Sequence, residues 1–168
     1  MPLFLVIKNV VMRSLFKALD DYYVDNRGDV GSWVRETVMD GLERCTYILC
    51  RRDAMNSLSK SEELGQTLDN AVVTSHATDT LFDIDLATNL VVGIVKQAVE
   101  KMDKVREAAA EVLQRILYNN TIFVPFIPHQ EKLEEIFPNE LGLKWGVARF
   151  SRKASFGGLS EIMRAINA

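Results

Sequence analysis

Cross-linking, metal-binding and membrane-spanning features are all scarce in this sequence. Among 168 residues there are two cysteines, Cys45 and Cys50, and two histidines, His76 and His129. Five residues of helix turn through about 500°, so the two thiols would point about 140° apart. The pair also lacks the C-x-x-C spacing of redox and zinc sites. Both cysteines read as reduced residues in or beside a core. Neither histidine has a Cys or His at metal-ligand spacing, so no metal and no cofactor is expected. No apolar run approaches the roughly 20 residues of a membrane helix, and Leu3–Ile7 falls short of the roughly 7–15 of a signal peptide. The cytoplasm is the default location. An excess of one charge is missing too: 20 Lys+Arg stand against 23 Asp+Glu, a net −3. A weakly acidic chain lacks the electrostatic footprint of a general nucleic-acid binder. There is no Gly-rich phosphate loop, nucleophile elbow or paired-carboxylate motif.

The sequence does carry helical periodicity. Ile7, Val11, Leu15 and Leu19 recur every fourth residue, with Val10, Phe16 and Tyr22 widening the stripe, and predict a helix over 3–24. Asp25-Asn-Arg-Gly-Asp29 reads as a turn. A second helix is expected from Ser32 to Arg51, burying Val34, Val38, Leu42, Cys45 and Leu49. Residues 52–85 are polar, with a weak capping-box signal for a short helix near 60–73. Asp85 is the expected N-cap of a helix from Leu86 to about Met102, with Val91, Ile94, Val95 and Ala98 inward. Residues 104–118 follow as a helix burying Val105, Ala109, Val112, Leu113 and Ile116. Thr121–Pro128 reads as extended, a short helix runs from Pro128 to Phe137, and a weak one covers Leu159–Ile166. From Ala148 onward four cations face one acid, a net +3 that leaves −6 for the body.

Two of these helices echo each other. Val34-Arg35-Glu36, Leu42 and Arg44 recur as Val105-Arg106-Glu107, Leu113 and Arg115, each 71 residues later. HEAT and armadillo repeats have periods of about 40–47 residues, so two helical hairpins separated by an insertion fit the offset. HEAT-type repeats commonly carry an Asp in the inter-helix turn with Val-Arg six positions on, and Asp29 to Arg35 has that spacing. Such an Asp caps the second helix, while the Arg reaches a neighbouring repeat's acid or carbonyls. Asp29, Val34, Arg35, Val105 and Arg106 are therefore read as structural repeat positions. The fold expected is all-α: HEAT/armadillo-like hairpins forming a partial α-solenoid, with a long polar insertion.

The remaining motifs have plain readings. Arg27-Gly28-Asp29 spells an integrin tripeptide but reads as turn and cap. Arg152-Lys153-Ala154-Ser155 resembles a basophilic kinase site of the kind short matches produce by chance. Trp33 reads either as a partner anchor or as packed on the adjacent helix. Lys96, Lys101 and Lys104 read either as contacts to an acidic partner or as a solvated charged face. Arg35 and Arg106 have a second reading as arginine fingers toward a GTPase, set against the structural one.

The stretch Arg27-Gly-Asp-Val-Gly-Ser-Trp-Val-Arg-Glu36 resembles a segment of the C-terminal region of the tubulin-folding cofactor D family, also called tubulin-specific chaperone D. Its flanks Ala18–Tyr22 and Gly41–Cys50, and the segments Lys96–Ala110 and Pro125–His129, are similar to the same family, its plant members in particular. The resemblance implies that 1–147 is a partial HEAT-like C-terminal domain with a polar insertion at 52–85, and 148–168 a basic divergent tail. It implies a piece of a longer, non-catalytic scaffold that binds β-tubulin after chaperonin release and assists α/β-tubulin heterodimer assembly. The partners it implies are β-tubulin, cofactors C and E and an Arf-like small GTPase, in the cytoplasm and close to the cytoskeleton. GTPase activation is then a property of the full complex, with the catalytic arginine on cofactor C. Two further classes remain beside it: a generic HEAT-repeat adaptor in transport or phosphatase complexes, and a chain that itself supplies a GTPase-activating arginine.

Overall fold

The computed structural model describes residues 3–64, 80–140 and 158–167. These form an all-α arrangement of six helices, the first interrupted by a π-turn, plus one minimal hairpin of strands β1 (Val24–Asp25) and β2 (Gly28–Asp29). The first helix comprises α1 (Leu3–Val6), a π-turn (Ile7–Val11) and α2 (Met12–Ala18). A π-turn accommodates an extra residue in one turn, which rotates the four-residue stripe that the sequence predicts. Met12 is fully buried, whereas Val10 and Val11 face solvent. The helix stops at Ala18 rather than at residue 24, with the Leu19 amide bonded back to the carbonyls of Leu15 and Phe16.

The second helix, α3 (Gly31–Leu64), runs well past the expected end at Arg51. At about 1.5 Å per residue its 34 residues span about 51 Å. Its buried face holds Arg35, Val38, Met39, Leu42, Thr46, Leu49 and Cys50; Val34, expected on that face, lies at its edge with 36% exposure. The Ser-rich stretch that reads as loop stays helical because its hydroxyls bond back along the helix. Ser57 donates to the Asp53 carbonyl, and Ser59 lies within reach of the Met55 and Asn56 carbonyls. Of the short helix expected near 60–73, residues 60–64 belong to α3, and 65–73 lie outside the described residues.

Asp83, not Asp85, caps α4 (Ile84–Ala98): its Oδ1 accepts the Leu86 amide at 2.9 Å. This helix ends four residues before Met102, and α5 (Asp103–Leu117) begins after a short joint. The expected inward residues of both helices are buried. An extended segment then leads to α6 (Gln130–Ile136), and α7 (Leu159–Asn167) packs on α4. The first helix with α3, and α4 with α5, make two hairpins. They stack chiefly through α3 on α5, and more thinly through α2 on α4. Leu42 and Leu113, one repeat offset apart, are both buried in the shared core.

The chain's return to this core is pinned by α3 itself. The two Asp53 carboxylate oxygens accept the Leu81 and Phe82 amides, each at 2.9 Å, and the Phe82 ring is fully buried. Lys8 donates to the Thr80 carbonyl at 3.0 Å and pairs with Asp83 at 2.6 Å. Burial works against the Asp83 carboxylate, but Lys8 and the Leu86 amide outweigh it and hold its pKa below the ordinary value. Charge-assisted hydrogen bonds of this kind contribute about 1.5–3 kcal/mol each. Asp53→Ala is therefore expected to cost about 2–4 kcal/mol. Hydrogen exchange should then lose protection at Leu81 and Phe82 before the rest of the core.

Both cysteines are free, Cys45 half-buried and Cys50 buried. Burial pushes the Cys50 thiol up to about 12, with Asp53 adding to the effect. Since the thiolate is the reactive species, Cys50 should resist thiol reagents at pH 8 until the protein unfolds. Rapid native-state labelling at Cys50 would contradict this arrangement.

Candidate protein-docking site at the inter-helix joints

Each hairpin turns through a joint, and an arginine from the first turns of the following helix holds each joint. In the first, Arg35 Nη1 donates to the Asp21 carbonyl at 2.6 Å and Nη2 to the Asp29 carboxylate at 3.0 Å. Its guanidinium also lies 4.2 Å from the centroid of the Tyr22 ring. The Arg35 side chain is completely buried. Asp29 does double service, because its Oδ1 also accepts the Ser32 amide at 2.9 Å and so caps α3. In the second joint Arg106 Nη1 donates to the carbonyls of Glu100 and Lys101 at 2.7 and 2.8 Å, and Nη2 pairs with Asp103. Both arginines thus bind carbonyls and an acid of their own joint. The planar guanidinium makes this possible, presenting separate donors to two acceptors at once.

Val34 and Val105 occupy matching sequence positions but not matching environments. Val105 is fully buried while Val34 is partly exposed. The stacking order accounts for it: α5 packs on α3, whereas α3 is the first helix of its layer.

The first joint is longer, and it folds back on α3. The Gly31 amide donates to the Tyr23 carbonyl at 2.9 Å. A Cβ at Gly31 would stand 2.4 Å from the Asp21 carbonyl oxygen, so only glycine fits. Gly28, at φ 108°, supplies the backbone conformation of the β1–β2 turn. Arg27 Nη2 pairs with Asp25 at 2.7 Å, and this lowers the Asp25 pKa. Both charged residues of the Arg27-Gly28-Asp29 tripeptide are therefore engaged within the joint.

At this joint end, three polar bridges among the described residues cross from the first hairpin to the second. The Tyr22 hydroxyl donates to Glu100 at 2.7 Å, and the Gln97 side chain donates to the Leu19 carbonyl at 3.2 Å. Lys96 pairs with Asp20 at 2.5 Å. Burial, then the hydrogen bond to Glu100, raises the Tyr22 pKa; the Asp20 hydrogen bond raises that of Lys96. Deeper along the stack, Arg115 grips Glu43 through Nε and Nη2 and reaches Asp40 at 3.0 Å.

What faces outward at this end is aromatic and apolar. Trp33 is 56% exposed, Tyr23 is 63% exposed, and Val24, Val99 and Met102 are also exposed. Lys101 and Lys104 are exposed around the second joint, with no ion-pair partner among the described residues. Lys96, by contrast, is committed to Asp20. The structure thus gathers Trp33, Lys96, Lys101 and Lys104 at one end of the two hairpins. Sequence reasoning missed Tyr23 and Val24 as surface residues, and it missed the Tyr22–Glu100 bridge. Asp20-Asp21 and Lys96, complementary in charge and each at a helix end, were the available signal. Among the described residues no cluster of His, Cys, Asp or Glu is placed to hold a metal ion, and no helix is long and apolar enough to cross a membrane.

Fold and surface together define a scaffold of helical hairpins with an exposed aromatic end. Residues 88–163 match the family model for the tubulin folding cofactor D C terminal. Over 120 residues, 71% of this chain, the sequence is 28% identical to the tubulin-specific chaperone D of Dictyostelium discoideum. The chain spans 8% of that relative's length. No solved structure matches. The chain is therefore similar to a fragment of a tubulin folding cofactor D.

A lysine presents one point charge where each joint needs two or three separated donors. Arg35→Lys and Arg106→Lys are each expected to destabilise by about 2–4 kcal/mol. That corresponds to a fall of about 5–15 °C in Tm. An unchanged melting curve for either variant would remove the joint-locking role from that residue.

Proposed function

We propose that this chain contributes to the scaffold of a tubulin-folding cofactor D, a β-tubulin-binding chaperone that acts after chaperonin release in α/β-tubulin heterodimer assembly. Its own part is to hold helical hairpins in register and to present their joint end to a partner. The observation that carries this reading is the exposed Trp33, Tyr23 and Val24 at the same end of the hairpins as the exposed Lys101 and Lys104, on a chain similar to that family. Aromatic anchors flanked by unpaired cations suit an acidic partner with apolar surface. The setting is the cytoplasm, near the microtubule cytoskeleton, with cofactors C and E and an Arf-like small GTPase completing the assembly.

The chain is a non-catalytic component. Arg35 and Arg106 are occupied inside their joints, which disfavours either as an arginine finger, since that role needs a guanidinium free to enter a nucleotide site. Stimulation of GTP hydrolysis by tubulin belongs to the full complex. A generic HEAT-repeat adaptor is the alternative, and partner identity separates the two.

The test is retention of purified β-tubulin and the partner GTPase on immobilised chain. Wild type should retain β-tubulin, and Trp33→Ala combined with Lys101→Glu and Lys104→Glu should weaken retention about tenfold or more. Absence of retention by the wild-type chain would sink the tubulin reading for this fragment. The chain alone should leave the GTP hydrolysis rate of tubulin unchanged.

A further inference from the structure

At the end of the hairpins opposite the joints, α3 and the segment after α5 enclose a groove of about 290 Å³. Cys50, Arg51, Ala54 and Ser57 form one wall, and Ile122 and Phe123 the other. Phe123 is 76% exposed, and the next ring along, Phe126, is exposed as well. Phe126 sits at φ 61°, a left-handed conformation that bulky residues rarely adopt. Of these two rings Phe123 lines the groove, while Phe126 stands outside it on the same segment. Met55 and Leu58, on the same stretch of α3, are exposed too.

The charge at the groove decides what fits it. Asp53 lines it, but both its oxygens are taken by the Leu81 and Phe82 amides. Arg52 lies over the Phe4 ring at 5.1 Å. Arg51 is exposed on the groove wall and has no ion-pair partner among the described residues. An apolar trough with a free guanidinium at its edge matches an apolar side chain next to a carboxylate, which arginine can grip with two parallel hydrogen bonds.

We propose that this groove binds an acidic, leucine- and phenylalanine-bearing peptide segment of a partner protein, its apolar side chains against Phe123 and Ala54 and a carboxylate on Arg51. The site is separate from the joint surface and does not depend on the tubulin reading. Fluorescence anisotropy tests it, using the full chain and a short fluorescein-labelled peptide with leucine or phenylalanine at every third or fourth position and glutamates between. Two control peptides replace the glutamates by lysine or the apolar residues by alanine. Saturable binding of the acidic peptide is expected, weakened about tenfold by Phe123→Ala and by Arg51→Glu. Both residues are exposed, so the circular dichroism and Tm of the variants should match wild type, which separates lost binding from lost folding. The control peptides should bind weakly. No saturable binding, equal binding by either variant, or preference for the lysine peptide would overturn the proposal. A concentration-dependent dimer in sedimentation, abolished by Phe123→Ala, would overturn it as well, because the groove would then hold a second copy of the chain.

Discussion

Burial of the Arg35 guanidinium is the constraint on which the first hairpin depends. A charge without water costs several kcal/mol unless its donors are met and an opposite charge is near. Here the Asp21 carbonyl, the Asp29 carboxylate and the Tyr22 ring surround it. Nε alone has no acceptor among the described residues. Meeting those demands fixes the path of the chain: Asp21 must return its carbonyl toward α3, and Gly31 must admit the backbone that passes over it. Asp29 must stand where it both caps α3 and faces the arginine. Tyr22, stacked on the same guanidinium, is thereby aimed at Glu100 of the second hairpin. One buried side chain thus sets a turn, a helix start and an inter-hairpin contact.

Arg106 solves the same problem with less chain. Its joint is four residues long, so two consecutive carbonyls lie within reach and the acid comes from the first turn of α5. The extra residues of the first joint go into β1 and β2, and these carry Tyr23 and Val24 outward. The difference in joint length therefore creates the exposed surface, while the matching arginines keep both hairpins in one register. Rigid joints also lower the entropy lost when their exposed side chains meet a partner.

The parts legible in sequence were those where burial on one side imposes a period. Every residue read as inward on α4 and α5 is buried, because a packed face imposes its period. Leu86, Ala87, Leu90 and Gln97 of α4 are buried as well, since that helix is covered by α5, α2 and α7. The π-turn was invisible: an extra residue in a turn leaves composition unchanged and shows only as a rotated stripe, with Met12 inward in place of Val11. The second half of α3 was hidden for the opposite reason. Across residues 51–59 no side chain is buried, so no inward face imprints a pattern there, and the serines look like loop residues until their hydroxyls are seen bonding back along the helix. Asp83 and Asp85 are equally good caps in isolation; Lys8, distant in sequence, stands at the first. The 71-residue echo located Arg35 and Arg106 but not their partners, since a spacing says which residues repeat and not which acceptors lie within reach.

The exposed half of α3 connects these observations to the two surfaces. A helix that packs along its whole length would have its far end covered, and Phe123 would then have a core to enter. Instead α3 outruns the 15-residue α5 by more than half its own length. The segment after α5 must turn back across its flank. Val124 takes the one buried position available, and Phe123 and Phe126 are left outside. Turning them inward would require displacing Val124 or relieving φ at Phe126, and Pro125 and Pro128 restrict both moves. The length mismatch between two stacked helices therefore produces the groove, as the length mismatch between two joints produces the aromatic rim at the other end.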